Sequence, residues 1–109
     1  MEELIEPQAV RRKQEAGEPF VLLDVRGTDE YAAGHIPGAR RLSADELERC
    51  LDELSPSTPV VTYCSMRHKG ASRSERAAAL LRERGYNARA LDGGLPAWQA
   101  IGGAVDTGR

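Results

Sequence analysis

Two apolar runs dominate the pattern along the chain. "FVLLDV" (20–25) and "PVVTY" (59–63) are nearly continuous stretches of strand length with no polar alternation. That is the pattern of strands covered on both faces, as in a parallel sheet packed between helices. The weaker runs "ARRL" (39–42) and "ARAL" (88–91) are read as strands as well. Between these runs the period becomes helical. "PQAVRRKQEAG" (7–17) opens on Pro7, tolerated in a first turn, and closes on Gly17. Thr28 is placed to cap a short helix whose first turn carries Asp29 and Glu30 and whose stop is Gly34. Ser43 and Glu46 have capping-box spacing. Leu47, Cys50, Leu51 and Leu54 then recur at helical intervals, predicting one apolar face. Ser72 and Glu75 repeat the box ahead of "SERAAALLRER" (74–84), so a helix is predicted from near Arg73 to a stop at Gly85. A last short helix spans "LPAWQAIG" (95–102). Strands alternating with helices predict an α/β domain with a mainly parallel sheet. Ligands of such sheets bind at the carboxyl ends of the strands.

Composition narrows the function classes. A chain of 109 residues, 40% of them hydrophobic, suits one small domain, and residues 1–109 are read as such. A net charge of −2 gives no general attraction for nucleic acid or an anionic membrane. No apolar run approaches the length of a membrane span. "MEELIEPQAV" is acidic and lacks the basic start and apolar stretch of a secretion signal, so a cytoplasmic, reducing setting is expected. The two cysteines and two histidines have no metal-ligand spacing, and neither a metal nor another cofactor is expected.

One of those cysteines has unusual surroundings. Cys64 directly follows the second buried strand, where such sheets place ligands. The stretch behind it, "SMRHKGAS" (65–72), contains Arg67, His68 and Lys69, and Arg73 follows. A thiol reacts as its thiolate, which nearby cations, a helix N-terminus and converging loop N–H groups all favour. Gly70, Ala71 and Ser72 are small enough to let the backbone turn tightly. The arrangement points to a nucleophilic sulfur with an anion bound above it. The plainer alternative is a buried cysteine beside a solvated basic loop. Cys50 falls on the apolar face of a predicted helix, without a cationic cradle, and is read as core or core edge.

Four stretches resemble the rhodanese-like (sulfurtransferase) family. They are "LLDVRGTDEYAAGHIPGA" (22–39), "VVTYCS" (60–65), "RSERAAALLRERGY" (73–86) and "LDGGLPAWQAIGGAV" (91–105), and the match runs from about residue 4 to 105. The resemblance implies a rhodanese-like fold, a five-stranded, mainly parallel sheet flanked by helices on both faces. It implies that Cys64 accepts a sulfane sulfur as a persulfide, from a donor such as thiosulfate, and passes it to cyanide or a thiol. It matches Arg73 to the arginine that ends the family's active-site loop, and the loop read above, Ser65, Met66, Arg67, His68, Lys69 and Gly70, is expected to bind substrate together with it. A small-molecule donor and acceptor are then the partners, together with a sulfur-accepting protein, and neither nucleic acid nor membrane is involved. One departure bears on substrate size. Ten residues run from Cys64 to Arg73, whereas six are common in the sulfurtransferases and seven in related phosphatases. The longer loop keeps open a cysteine phosphatase or arsenate reductase on the same fold, and a non-catalytic binding module is the third reading.

The remaining polar residues are read as structural. Asp24 and Arg26 suggest a salt bridge, with Glu30 as the expected partner of Arg26. His35, followed by Ile36, Pro37 and Gly38, is expected to fix a turn by hydrogen bonding. Trp98 with Leu95 and Ile101 forms a core stripe. "RRKQE" (11–15) is read as the wet face of the first helix.

Overall fold

The structure is a computed structural model that describes residues 3–65 and 73–108. Five strands, β1 (Leu4–Ile5), β2 (Val21–Asp24), β3 (Arg40–Arg41), β4 (Val60–Tyr63) and β5 (Ala88–Leu91), form one sheet. Their order is β1-β5-β4-β2-β3, and every pairing is parallel. The helices are α1 (Pro7–Ala16), α2 (Thr28–Ala33), α3 (Ala44–Arg49), α4 (Arg73–Glu83) and α5 (Gly94–Ala100). β2 and β4 are neighbours although β3 lies between them in sequence, with Leu22 opposite Val61 and Asp24 opposite Tyr63. Their carboxyl ends therefore meet at the centre of one sheet edge.

The continuous apolar runs are explained by burial on both sides. Leu23, Val60 and Cys64 pack toward α3 and α4, with Leu47, Ala77, Ala78 and Leu81. Leu22, Val61 and Tyr63 pack the other way, with Val10, Ile36, Leu95 and Trp98. Helices on both faces of a parallel sheet are what the apolar runs and the family resemblance anticipate.

Local differences from the sequence reading have physical reasons. β1 is only two residues long, too short to show a period, and it acquires strand geometry by pairing with β5. Thr28 is not a cap. Gly27 takes that position, and its N–H donates to Glu30 Oε1 at 3.2 Å. The helix expected through Leu54 stops at Arg49 and continues as a 3-10 turn at Leu51–Glu53. Pro56 disfavours helical geometry at Ser55, so the chain must leave the helix there, and the last turn tightens as helix ends commonly do. Leu47, Leu51 and Leu54 nevertheless remain buried, while Cys50 is half-buried at the core edge. The capping box expected at Ser72 lies outside the described residues. The first helix is less wet than expected. Arg11 Nη1 donates to Ile101 O at 2.9 Å and Gln14 Nε2 to Pro37 O at 3.2 Å.

Trp98 anchors the C-terminal segment. It is 1% exposed, and its indole N–H donates to Ala104 O at 2.8 Å. Gly103 lies against the ring so closely that a Cβ there would come within 2.3 Å of Trp98 Cε2. Gly103→Ala should therefore destabilise the fold by about 1–3 kcal/mol, the usual range for overpacking. Urea unfolding measures this, and wild-type stability would show that the indole can give way.

Candidate functional site

The centre of the carboxyl edge is built from the end of β4. Cys64 follows Tyr63 directly and is fully buried. Its Sγ lies 3.4 Å from Ser74 Oγ, in the first turn of α4. Thr62 Oγ1 donates to Ser74 O at 2.7 Å, which fastens the start of α4 to β4. From the opposite side, Leu95 N–H donates to Cys64 O at 2.8 Å. That contact requires the tight turn at Gly93 and Gly94, whose φ values of 79° and 63° favour glycine. Sulfur and carbonyl of the same residue are thus fixed by two helices on opposite faces of the sheet.

Beside Cys64, β2 ends in a buried ion pair. Asp24 is 0% and Arg26 4% exposed. Arg26 Nε donates to both carboxylate oxygens, at 2.9 and 3.1 Å, and Nη2 donates to Oδ2 at 2.6 Å. The expected partner, Glu30, does not pair with Arg26, because Asp24 is two residues away and already faces its guanidinium. The remaining donors tie in neighbouring segments. Nη2 also reaches Gly34 O at 2.6 Å, and Nη1 reaches Ser65 Oγ at 3.3 Å. Burial alone would disfavour the guanidinium's charge, but its bonds to Asp24 outweigh this and raise its pKa. Burial also pushes the Tyr63 phenol up, so it stays neutral and accepts from Ile36 N–H at 3.0 Å.

Glu30 connects the pair to the start of α4. Its Oε2 accepts from Ser65 Oγ at 3.3 Å, and its Oε1 lies 3.6 Å from Arg73 Nη1. Partial burial pushes this carboxyl up, but the Gly27 N–H, the Arg73 charge and the Ser65 hydroxyl together bring it below its ordinary value.

Of the residues expected to form the site, Cys64, Ser65 and Arg73 are brought to one sheet edge. Met66, Arg67, His68, Lys69 and Gly70 lie outside the described residues. Ser74 and Glu30 join the site without having been singled out for it. Ser74 immediately follows Arg73, and Glu30 stands three residues after Gly27; nothing in the local sequence marks Ser74 as facing Cys64, or Glu30 as reaching Ser65 and Arg73. His35 has the structural place expected of it. It is buried and stacked on Tyr31 at 3.8 Å, with Nδ1 2.8 Å from Tyr31 O.

Comparison with known proteins assigns the class. The rhodanese-like domain family matches residues 6–101, and the chain belongs to that family. It is similar to the thiosulfate sulfurtransferase GlpE of Pseudoalteromonas translucida, 36% identical over 84 residues, covering 76% of each chain. It is also similar to an HTH-type transcriptional regulator of Mycobacterium tuberculosis, 37% identical over 107 residues. That match covers 98% of this chain but only 46% of the regulator, so the chain spans less than half of that relative. Among solved structures, the rhodanese-like domain of the Anabaena protein Alr3790 superposes with a TM-score of 0.83 at 34% identity, covering 98% of this chain and 80% of that one.

The buried pair yields a direct test. Asp24→Ala leaves the Arg26 guanidinium buried without a counter-charge and should cost about 3–5 kcal/mol in urea unfolding. A loss below about 1 kcal/mol, the scale of an exposed pair, would mean that water or another group compensates Arg26.

Proposed function

We propose that this domain is a sulfurtransferase in which Cys64 carries sulfane sulfur as a persulfide. The observation that carries the reading is the placement of Cys64: directly after β4, at the carboxyl edge, fully buried, with Sγ 3.4 Å from Ser74 Oγ at the start of α4. The Ser74 hydroxyl can donate to a thiolate at that distance, and the N-terminal end of α4 favours negative charge there. The sulfurtransferase relative supports the same chemistry.

The cycle balances without a redox cofactor. The Cys64 thiolate attacks the outer sulfur of thiosulfate. A new S–S bond forms, the thiosulfate S–S bond breaks, and sulfite leaves with the electron pair. Cyanide carbon or a thiolate then attacks the outer sulfur of the persulfide, and the electron pair returns to Cys64. Sulfite leaves as an anion, so this step needs no general acid. Burial of Sγ shelters the persulfide from bulk water. Arg73 is assigned to hold the anionic donor, together with Ser65, Met66, Arg67, His68, Lys69 and Gly70 of the loop. The partners are a small-molecule donor and acceptor, with a sulfur-accepting protein as a further recipient. A reducing, cytoplasmic setting suits a free thiol, and among the described residues no helix is long and apolar enough to cross a membrane.

The ten-residue span from Cys64 to Arg73 favours a phosphatase or arsenate reductase as the second reading. Cleaving a phosphate ester calls for a proton donor to the leaving oxygen. Glu30, the carboxyl bonded to Ser65, is held toward its ionised form by Gly27, Arg73 and Ser65. That makes it a poor acid and favours sulfur transfer.

Steady-state transfer from thiosulfate to cyanide should give parallel double-reciprocal lines, the mark of a ping-pong cycle. Cys64→Ser should reduce thiocyanate release to background at unchanged thermal stability, whereas Cys50→Ser should retain it. Loss of activity in a stable Cys50→Ser variant would contradict a single nucleophile.

A further inference from the structure

One carboxylate joins the residue after Cys64 to the residue that opens α4. Glu30 stands in the first turn of α2, on a different element from either. Its Oε2 accepts from Ser65 Oγ at 3.3 Å, and its Oε1 lies 3.6 Å from Arg73 Nη1. Oε1 also accepts from Gly27 N–H at 3.2 Å. Ser65 Oγ is held in turn by Arg26 Nη1 at 3.3 Å, and that guanidinium is buried against Asp24. The buried pair at the end of β2 therefore sets Ser65, Ser65 and Gly27 set Glu30, and Glu30 faces Arg73.

The Glu30 charge has two opposed effects on an anion bound at Arg73. It repels the anion, and it holds the guanidinium that binds it. Both side chains are partly exposed, 44% for Arg73 and 43% for Glu30, so water and salt screen the repulsion. Exposed ion pairs are usually weak because two flexible side chains must be ordered at once. Here one partner is ordered already, since Glu30 is bonded to Gly27 and Ser65. Partial burial alone would raise its pKa, but Gly27, Arg73 and Ser65 together hold it below the ordinary carboxylate value, so it is charged at neutral pH. A guanidinium carries five N–H donors, so a contact at one of them leaves others to meet a second anion.

We propose that Glu30 is a positioning residue for donor binding: its carboxylate ties Ser65 to Arg73 and so orients the Arg73 guanidinium that receives the anionic end of the donor. The inference rests on the sulfur-transfer reading of Cys64 and on the assignment of Arg73 to the donor. Glu30 touches no reacting atom and takes part in no covalent step. Its effect belongs to the half-cycle in which an oxyanion must be held, the loading of Cys64 from thiosulfate. Discharge to cyanide starts from the persulfide and has no oxyanion to hold.

A ping-pong cycle separates the two half-cycles, because kcat/KM for thiosulfate reports loading and kcat/KM for cyanide reports discharge. Glu30→Gln keeps an oxygen acceptor for Gly27 N–H and removes the charge. It should lower kcat/KM for thiosulfate by about fivefold, the scale of one partly exposed ion pair, and leave kcat/KM for cyanide at the wild-type value. An equal fall in both would mark a purely structural role, and a rise for thiosulfate would show that repulsion prevails; either result overturns the proposal. In an Arg73→Gln background, Glu30→Gln should have no further effect on loading, as expected of a residue that acts through Arg73. Losses that multiply would overturn it. A second measurement needs no sulfur transfer: sulfate is titrated while the Arg73 Nε–H resonance is followed. The wild type should show saturable shifts, and Glu30→Gln should weaken binding by a similar factor. Equal affinity in the two proteins, or no shift in the wild type, overturns the proposal. If sulfate behaves as expected but thiosulfate never loads Cys64, the sulfur-transfer reading falls, while Glu30 still orients Arg73 toward an anion.

Discussion

The carboxyl edge of the sheet depends on one buried ion pair. Two charges removed from water are tolerated only when geometry and additional bonds compensate them. Asp24 and Arg26 meet that condition through four bonds from Arg26, one of them from its own backbone N–H to Asp24 Oδ1 at 3.0 Å. What remains of the guanidinium's donor capacity goes to Gly34 O and Ser65 Oγ. A single side chain thus joins the end of β2, the end of α2 and the residue after Cys64. Its planar fork over the Tyr63 ring, 5.6 Å from the centroid, adds a contact that an ammonium could not reproduce in the same way.

The cysteine site is built into that edge. Cys64 sits between a central strand and two helices, with its carbonyl held from α5 and its sulfur facing Ser74 on α4. Glu30 bridges the buried pair's surroundings to Arg73 through Ser65. In the proposed role, this scaffold would hold the nucleophile in place at the carboxyl edge while it carries sulfur.

Much of the fold was legible because burial on both faces leaves a simple mark. "FVLLDV" and "PVVTY" could hardly be anything but central strands, and Gly17, Gly34 and Gly85 ended helices where expected. What escaped were features set by partners rather than by pattern. β1 exists because β5 offers it a neighbour. Gly27 replaced Thr28 as a cap because Glu30 reaches back to its N–H. Arg26 chose Asp24 over Glu30 because the nearer carboxylate is buried with it. The place of Cys64 at the carboxyl end of a buried strand was legible, but its neighbour Ser74 was not, since the contact spans ten residues and depends on how α4 docks on β4.

The most direct test of this account is the intact mass of the protein after exposure to thiosulfate and then to cyanide, with Cys64→Ser alongside. The wild type should gain the mass of one sulfur atom, located on the Cys64 peptide, and lose it to cyanide, while Cys64→Ser gains nothing. Uptake by Cys64→Ser, or no uptake by a folded wild type, would contradict the assignment of Cys64 as the sulfur carrier.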